Sequence, residues 1–310
     1  MEPEIIQESI KLKRDYFLPL SILISVLVIA IAWIYTTGKQ ADHAKVAASL
    51  STSDSKTQVE NLEENIIPTA GVVLPVKWRN LGMEMVEAGV IDAQKFEALY
   101  AQRGGLSEEE KNLLYGSTDD NLKITSQNSG FLLNLLWAFG LGNKNEILEK
   151  GEMSDPQYGG SGRFASTGGW TLAKGETMNH YSGHQFVKLT SDEQAMVERV
   201  SQNIYRPCCN NSTHFPDCNH GMAMLGLLEL MASQGASEEE MYKTALLVNS
   251  YWFPDTYLTI ASYFNQKGIA WDMVDAKEVL GANFSSGSGF RRILEETAPV
   301  QKSTGAGCGV

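Results

Sequence analysis

The sequence is short of basic charge. Its 25 Lys and Arg face 37 Asp and Glu, for a formal net charge of −12. Phosphate backbones are bound by basic surfaces, so this balance excludes a nucleic-acid partner. Cysteine is also scarce, with four in 310 residues. That is too few for a disulfide-built mini-fold, and a chain of this length can bury a core without one. Several catalytic and ligand motifs are missing as well. There is no Cys-x2-Cys zinc spacing, no Cys-x-x-Cys-His haem attachment and no His-Glu-x-x-His pair. The glycines before Lys174 lack the Gly-Lys-Ser/Thr ending of a P-loop. The Gly287-Ser288-Gly289 stretch matches only part of a nucleophile elbow. No repeat of solenoid length is present, and no strongly alternating strand pattern stands out. The expected fold class is therefore mainly α, with hydrophobic content of 43% marking a globular chain rather than a disordered one.

One long stretch carries no charge at all. Residues 17–35 read FLPLSILISVLVIAIAWIY, and a helix of that length spans roughly 28 Å, close to one bilayer core. Trp33 and Tyr35 end it with interfacial aromatics, and Lys11, Lys13 and Arg14 precede it. There is no polar face for a buried core helix and no small-residue cleavage pattern at its end. The run predicts an N-terminal transmembrane helix acting as a signal anchor. By the positive-inside rule residues 1–16 are cytoplasmic and the bulk of the chain is extracytoplasmic. Residues 36–66 are mostly polar and predict a tether, residues 67–298 a helical domain, and residues 299–310 a flexible tail.

Within the domain, apolar residues recur at helical spacing from Leu81 through Leu99 and stop at Gly104-Gly105. Ser107 and Ser237, each followed by three glutamates, predict capping boxes, and Ser191 predicts another helix start. Phe131–Leu141 is apolar on most sides but too short to span a membrane, which predicts a central core helix. A glycine-rich excursion covers 151–175, a Met/Leu-rich helix covers 219–233, and Pro254 breaks the helix after it.

The chemistry concentrates in Tyr205–Met224, YRPCCNNSTHFPDCNHGMAM, which holds Cys208, Cys209, Cys218, His214 and His220. Pro207 and Pro216 stiffen this loop, and Asn210, Asn211 and Ser212 supply turn chemistry, so its ends can return to one point. Cys218 stands at the expected start of the following helix, where free backbone N–H groups favour a thiolate. Thiolate with imidazole suits Cu(I), Zn(II) or an iron–sulfur centre. Met222 and Met224 are either thioether ligands that tilt the choice to copper or ordinary core residues. Two further elements bear on the site. His180 and His184 are four residues apart and share a face on a helix or strand. Cys308 lies between glycines in the tail, on an arm suited to a moving ligand or an exchanging thiol.

These residues predict a membrane-anchored soft-metal protein for sensing, storage or delivery, copper ahead of zinc, with a metal or thiol acceptor protein as partner. Cys208, Cys209, Cys218 and His220 are the expected ligands; His214, His180, His184 and Cys308 are auxiliary. Two other readings remain open. One is a thiol–disulfide oxidoreductase in which Cys218 attacks and Cys209 or Cys308 resolves. The other is a disulfide-stabilised binding domain without catalysis.

Overall fold

A computed structural model describes residues 60–300. Residues 1–59, with the proposed anchor at 17–35 and most of the tether, lie outside the described residues, as does Cys308. The described residues are mainly helical, in agreement with the expected class. Among them no helix is long and apolar enough to cross a membrane.

The described chain begins helically over 60–66, burying Ile66 and Ile67. It then forms β1 (Val72–Arg79), α1 (Leu81–Ala88), α2 (Ala93–Ala101), α3 (Glu108–Tyr115) and β2 (Thr118–Ile124). Next come the central helix α4 (Ser129–Gly142), the short α5 (Glu146–Lys150) and a loop region with four 3₁₀ turns between Glu152 and Asn179. The second half holds α6 (Ser191–Ser201), α7 (Asn219–Ser233), α8 (Glu238–Trp252) and α9 (Pro254–Gln266). Three shorter helices close it: α10 (Ala276–Leu280), α11 (Ala282–Ser285) and α12 (Gly287–Glu296).

Local chemistry explains most boundaries. Ser107, Thr190 and Ser237 each accept from the backbone N–H three residues on, and Glu110, Glu193 and Glu240 return the bond. Each capping box thus satisfies two donors that a helix start leaves free. At α6 the cap is Thr190, one residue before the Ser191 expected from sequence. Pro254 opens α9 at its first position, where the missing N–H costs nothing.

Two expectations are corrected. The periodic stretch from Leu81 to Leu99 is two helices, because Gly89 adopts a left-handed conformation (φ +83°) and ends α1. The chain also contains an antiparallel strand pair that sequence periodicity did not predict. In β1, Leu74, Val76 and Trp78 are buried on one face, but Pro75 interrupts the run where the register to β2 shifts. The partner strand, TDDNLKI, buries only Leu122 and Ile124. Its alternation is too short to stand out. The Gln234 side chain holds the Lys77 backbone, accepting from its N–H at 2.9 Å and donating to its carbonyl at 2.8 Å.

The core centres on α4 and α7. Every residue of α4 but Gly130 is buried, as is every residue of α7 from Gly221 to Ala232. The two helices cross at glycines. A Cβ at Gly140 would overlap the Met222 carbonyl oxygen, and one at Gly226 would lie 2.6 Å from the Leu136 carbonyl oxygen. One ionisable side chain sits in this interface: Glu229 of α7, fully buried, accepts from the Asn143 amide at 2.5 Å. Burial pushes its carboxyl pKa well above the ordinary value, outweighing the opposing hydrogen bonds from Asn143 and Asn145. The crossing matters for the site because it fixes α7, whose first residue follows Cys218.

Candidate metal centre

The segment between α6 and α7 is a loop tied at both ends. Thr213 N–H donates to the Ile204 carbonyl at 2.8 Å and His214 N–H to the Ser201 carbonyl at 3.1 Å, while Tyr205 and Ser212 form an isolated antiparallel bridge. The helix after α11 holds its tip. Gly287 N–H donates to the Cys209 carbonyl at 2.7 Å, and Ser288 N–H donates to Asn210 Oδ1 at 2.8 Å.

Inside this loop lies Arg206, 1% exposed. Its Nε–H donates to Cys218 Sγ at 2.9 Å, and Nη1 donates to the Asn211 carbonyl at 3.0 Å. Nη2 donates to the Phe215 carbonyl at 3.0 Å and to Asp217 Oδ1 at 2.5 Å. Asn211 in turn donates to the other Asp217 oxygen at 2.8 Å. One guanidinium therefore fastens both arms of the loop, using its fixed fork of donors. Gly221, in the first turn of α7, makes room for it: a Cβ there would stand 2.5 Å from Arg206 Cζ.

The fold brings three sulfurs together. Cys208, Cys209 and Cys218 place their Sγ atoms within 4.8 Å of one another, and Cys208 and Cys218 are 3.6 Å apart. Sulfurs bonded at about 2.3 Å to a tetrahedral ion stand about 3.8 Å from each other. The trio can therefore close on one ion with small side-chain movements. All three are free thiols.

Their protonation is unequal. Hydrogen bonds from Cys208 and Cys209 pull the Cys218 pKa strongly down, with His220 and the Arg206 guanidinium adding to them against the effect of burial. Cys218 is also the N-cap of α7, where the helix dipole favours negative charge. Cys208 moves the other way, raised by its hydrogen bonds to Cys209 and Cys218 and then by burial. At Cys209 the bond with Cys208 lowers the pKa, but Cys218 and burial outweigh it and the net shift is upward. Cys218 is thus the member of the trio whose surroundings most favour the thiolate, with two sulfurs and one guanidinium beside it.

The histidines divide. His220 lies close enough to Cys218 to help lower its pKa and packs its ring 4.4 Å from that of Phe253. Its Nε2 is buried without a hydrogen-bond partner. It stands beside the trio but outside the group whose ligand atoms are mutually within 4.8 Å. His214 also lies outside that group. His180 and His184 pair with each other, Nδ1 to Nε2 at 3.0 Å, with His180 Nε2 at 2.9 Å from the Lys174 carbonyl. His184 stacks on Phe186, and burial, then His180, lowers its pKa. Met222 and Met224 are buried in the hydrophobic core.

Sequence reasoning missed Arg206, Asp217 and Gly221. Arg206 stands two residues before Cys208 and Gly221 three after Cys218, yet neither residue type marks a thiol site unless the loop is seen folded back. Comparisons with protein-family models, curated proteins and solved structures find no match to this chain.

Proposed function

We propose that this chain is a soft-metal-binding protein whose ion is held by Cys208, Cys209 and Cys218, with His220 beside them as a fourth donor. The observation that carries this reading is the convergence of three sulfurs within 4.8 Å beside a buried guanidinium. Three thiolates favour Cu(I), with zinc second and an iron–sulfur centre third. The buried, unpartnered His220 Nε2 adds an imidazole donor of the type both copper and zinc accept. The uncharged run at 17–35 and the cations before it support a single-pass anchor with this domain outside the cytoplasm. The role is metal sensing, storage or delivery at the membrane surface, with a metal or thiol acceptor protein as partner.

The test is elemental analysis with thiol counting on the full chain in detergent, followed by Cu(I) titration. One ion per chain in the wild type, lost in Cys218→Ser with the helical circular-dichroism signal kept, supports the proposal. Quantitative disulfide pairing within the trio and no ion refutes it and favours a disulfide-stabilised binding domain. For the membrane topology, protease added to intact spheroplasts should remove the domain and leave a short anchored stub; full protection refutes the orientation.

A second reading rests on the 3.6 Å separation between Cys208 and the Cys218 thiolate. In thiol–disulfide exchange Cys218 would attack a partner's disulfide and expel one sulfur as thiolate. A second thiol would then attack the mixed disulfide at Cys218, leaving the partner reduced and this chain oxidised. Sequence assigned that second role to Cys209 or Cys308; the short separation favours Cys208. Catalysed insulin reduction by the metal-free protein would support this reading.

A further inference from the structure

The three sulfurs are anchored very differently. Cys218 is bonded to the buried Arg206 at 2.9 Å and caps a helix fixed in the core. Cys209 is half-buried, and its carbonyl is held by Gly287 at 2.7 Å. Cys208 is exposed. The hydrogen bonds of its sulfur go to the other two sulfurs. An ion held by all three would thus have one solvent-facing bond and one bond at the rigid base of the site.

We propose that Cys208 is the exchange ligand, through which the ion passes to an acceptor that presents a thiolate, and that Cys218 is the ligand released last. This rests on the metal-binding reading above. The acceptor sulfur donates a lone pair to the ion from the open side, and the bond from the ion to Cys208 Sγ breaks. Cys208 leaves as a thiolate, so one thiolate is consumed and one released, and Cys208 can then take a proton from solvent. The ion keeps its oxidation state, so no oxidant or reductant takes part. Repeating the exchange at Cys209 and then Cys218 completes the transfer. The order follows from exposure and anchoring: Cys208 is exposed, whereas displacing Cys218 must free a sulfur that the buried Arg206 guanidinium holds at 2.9 Å, on a residue whose backbone begins a helix fixed in the core.

The experiment uses the full chain in detergent loaded with one equivalent of Cu(I). Brief, sub-stoichiometric iodoacetamide treatment followed by peptide mass mapping should label Cys208 at least tenfold faster than Cys218. With glutathione as the acceptor thiol and bathocuproine disulfonate as the coloured sink, transfer should rise in proportion to glutathione. Cys208→Ser should still hold one Cu(I) and release it at least tenfold faster, whereas Cys218→Ser should hold none. Equal labelling of the cysteines in the loaded protein overturns the proposal, as does loss of the ion from Cys208→Ser as complete as from Cys218→Ser. Both outcomes leave metal binding itself standing. A wild-type chain that takes up no Cu(I) overturns the metal-binding reading and this inference together.

Discussion

Gly221→Ala should reverse the usual sign of a glycine replacement in a helix. Gly221 lies inside α7, where alanine is normally favoured by about 1 kcal/mol. Here a Cβ would sit 2.5 Å from Arg206 Cζ, 2.6 Å from Nη2 and 2.8 Å from Nε. The guanidinium cannot step aside freely, because it is bonded to Cys218, Asn211, Phe215 and Asp217. Breaking a hydrogen bond to a charged group costs about 1.5–3 kcal/mol. Losing two and gaining the propensity term gives a net destabilisation of about 2–5 kcal/mol. Urea denaturation of the wild type and variant measures it, and Cys218 should become less reactive to iodoacetamide near neutral pH as its cation moves away. A double-mutant cycle isolates the cause. With Arg206→Met in the background, the alanine should be neutral or mildly stabilising, since the obstructing fork is gone. A Gly221→Ala protein as stable as wild type, or an equal cost in both backgrounds, would refute the account of Arg206 as the loop's fastening.

Glu229→Gln should flatten the pH dependence of stability. The folded carboxyl keeps its proton above the pH where the unfolded one loses it, so the native state binds the extra proton. Stability from this group is complete below the unfolded pKa and falls by about 1.4 kcal/mol per pH unit as pH rises toward the folded value. Urea midpoints at stepped pH should therefore diverge upward in favour of the glutamine variant, and parallel curves would show a carboxylate already ionised in the fold. At the helix crossing, Gly140→Ala and Gly226→Ala should each destabilise, because either Cβ meets the opposite backbone. Their combined cost should be less than the sum, since both force the same separation of α4 and α7; strict additivity of the thermal shifts would argue against that.

Much of the helical layout is local and was legible. The capping boxes at Ser107 and Ser237 need only residues three apart, and α4 and α7 announce themselves as apolar runs bounded by turn residues. The cluster of Cys208, Cys209 and Cys218 was legible for a similar reason: a short loop with two prolines and turn residues can bring its ends to one point. Tertiary structure alone decided the rest. The β1–β2 pair joins segments about forty residues apart, and neither strand alternates strongly enough to be seen before its partner is known. His180 and His184 share a spacing but were drawn to each other and to the Lys174 carbonyl, because a loop's direction depends on what it packs against. The place of Cys218 at a helix start was legible, but the cation beside it was not. That cation is a guanidinium folding back twelve residues onto Cys218, and a glycine one helical turn away leaves space for it. Spacing along a chain fixes which groups can meet; the dielectric, the exposure and the hydrogen bonds each one finds there exist only once the core has closed around them.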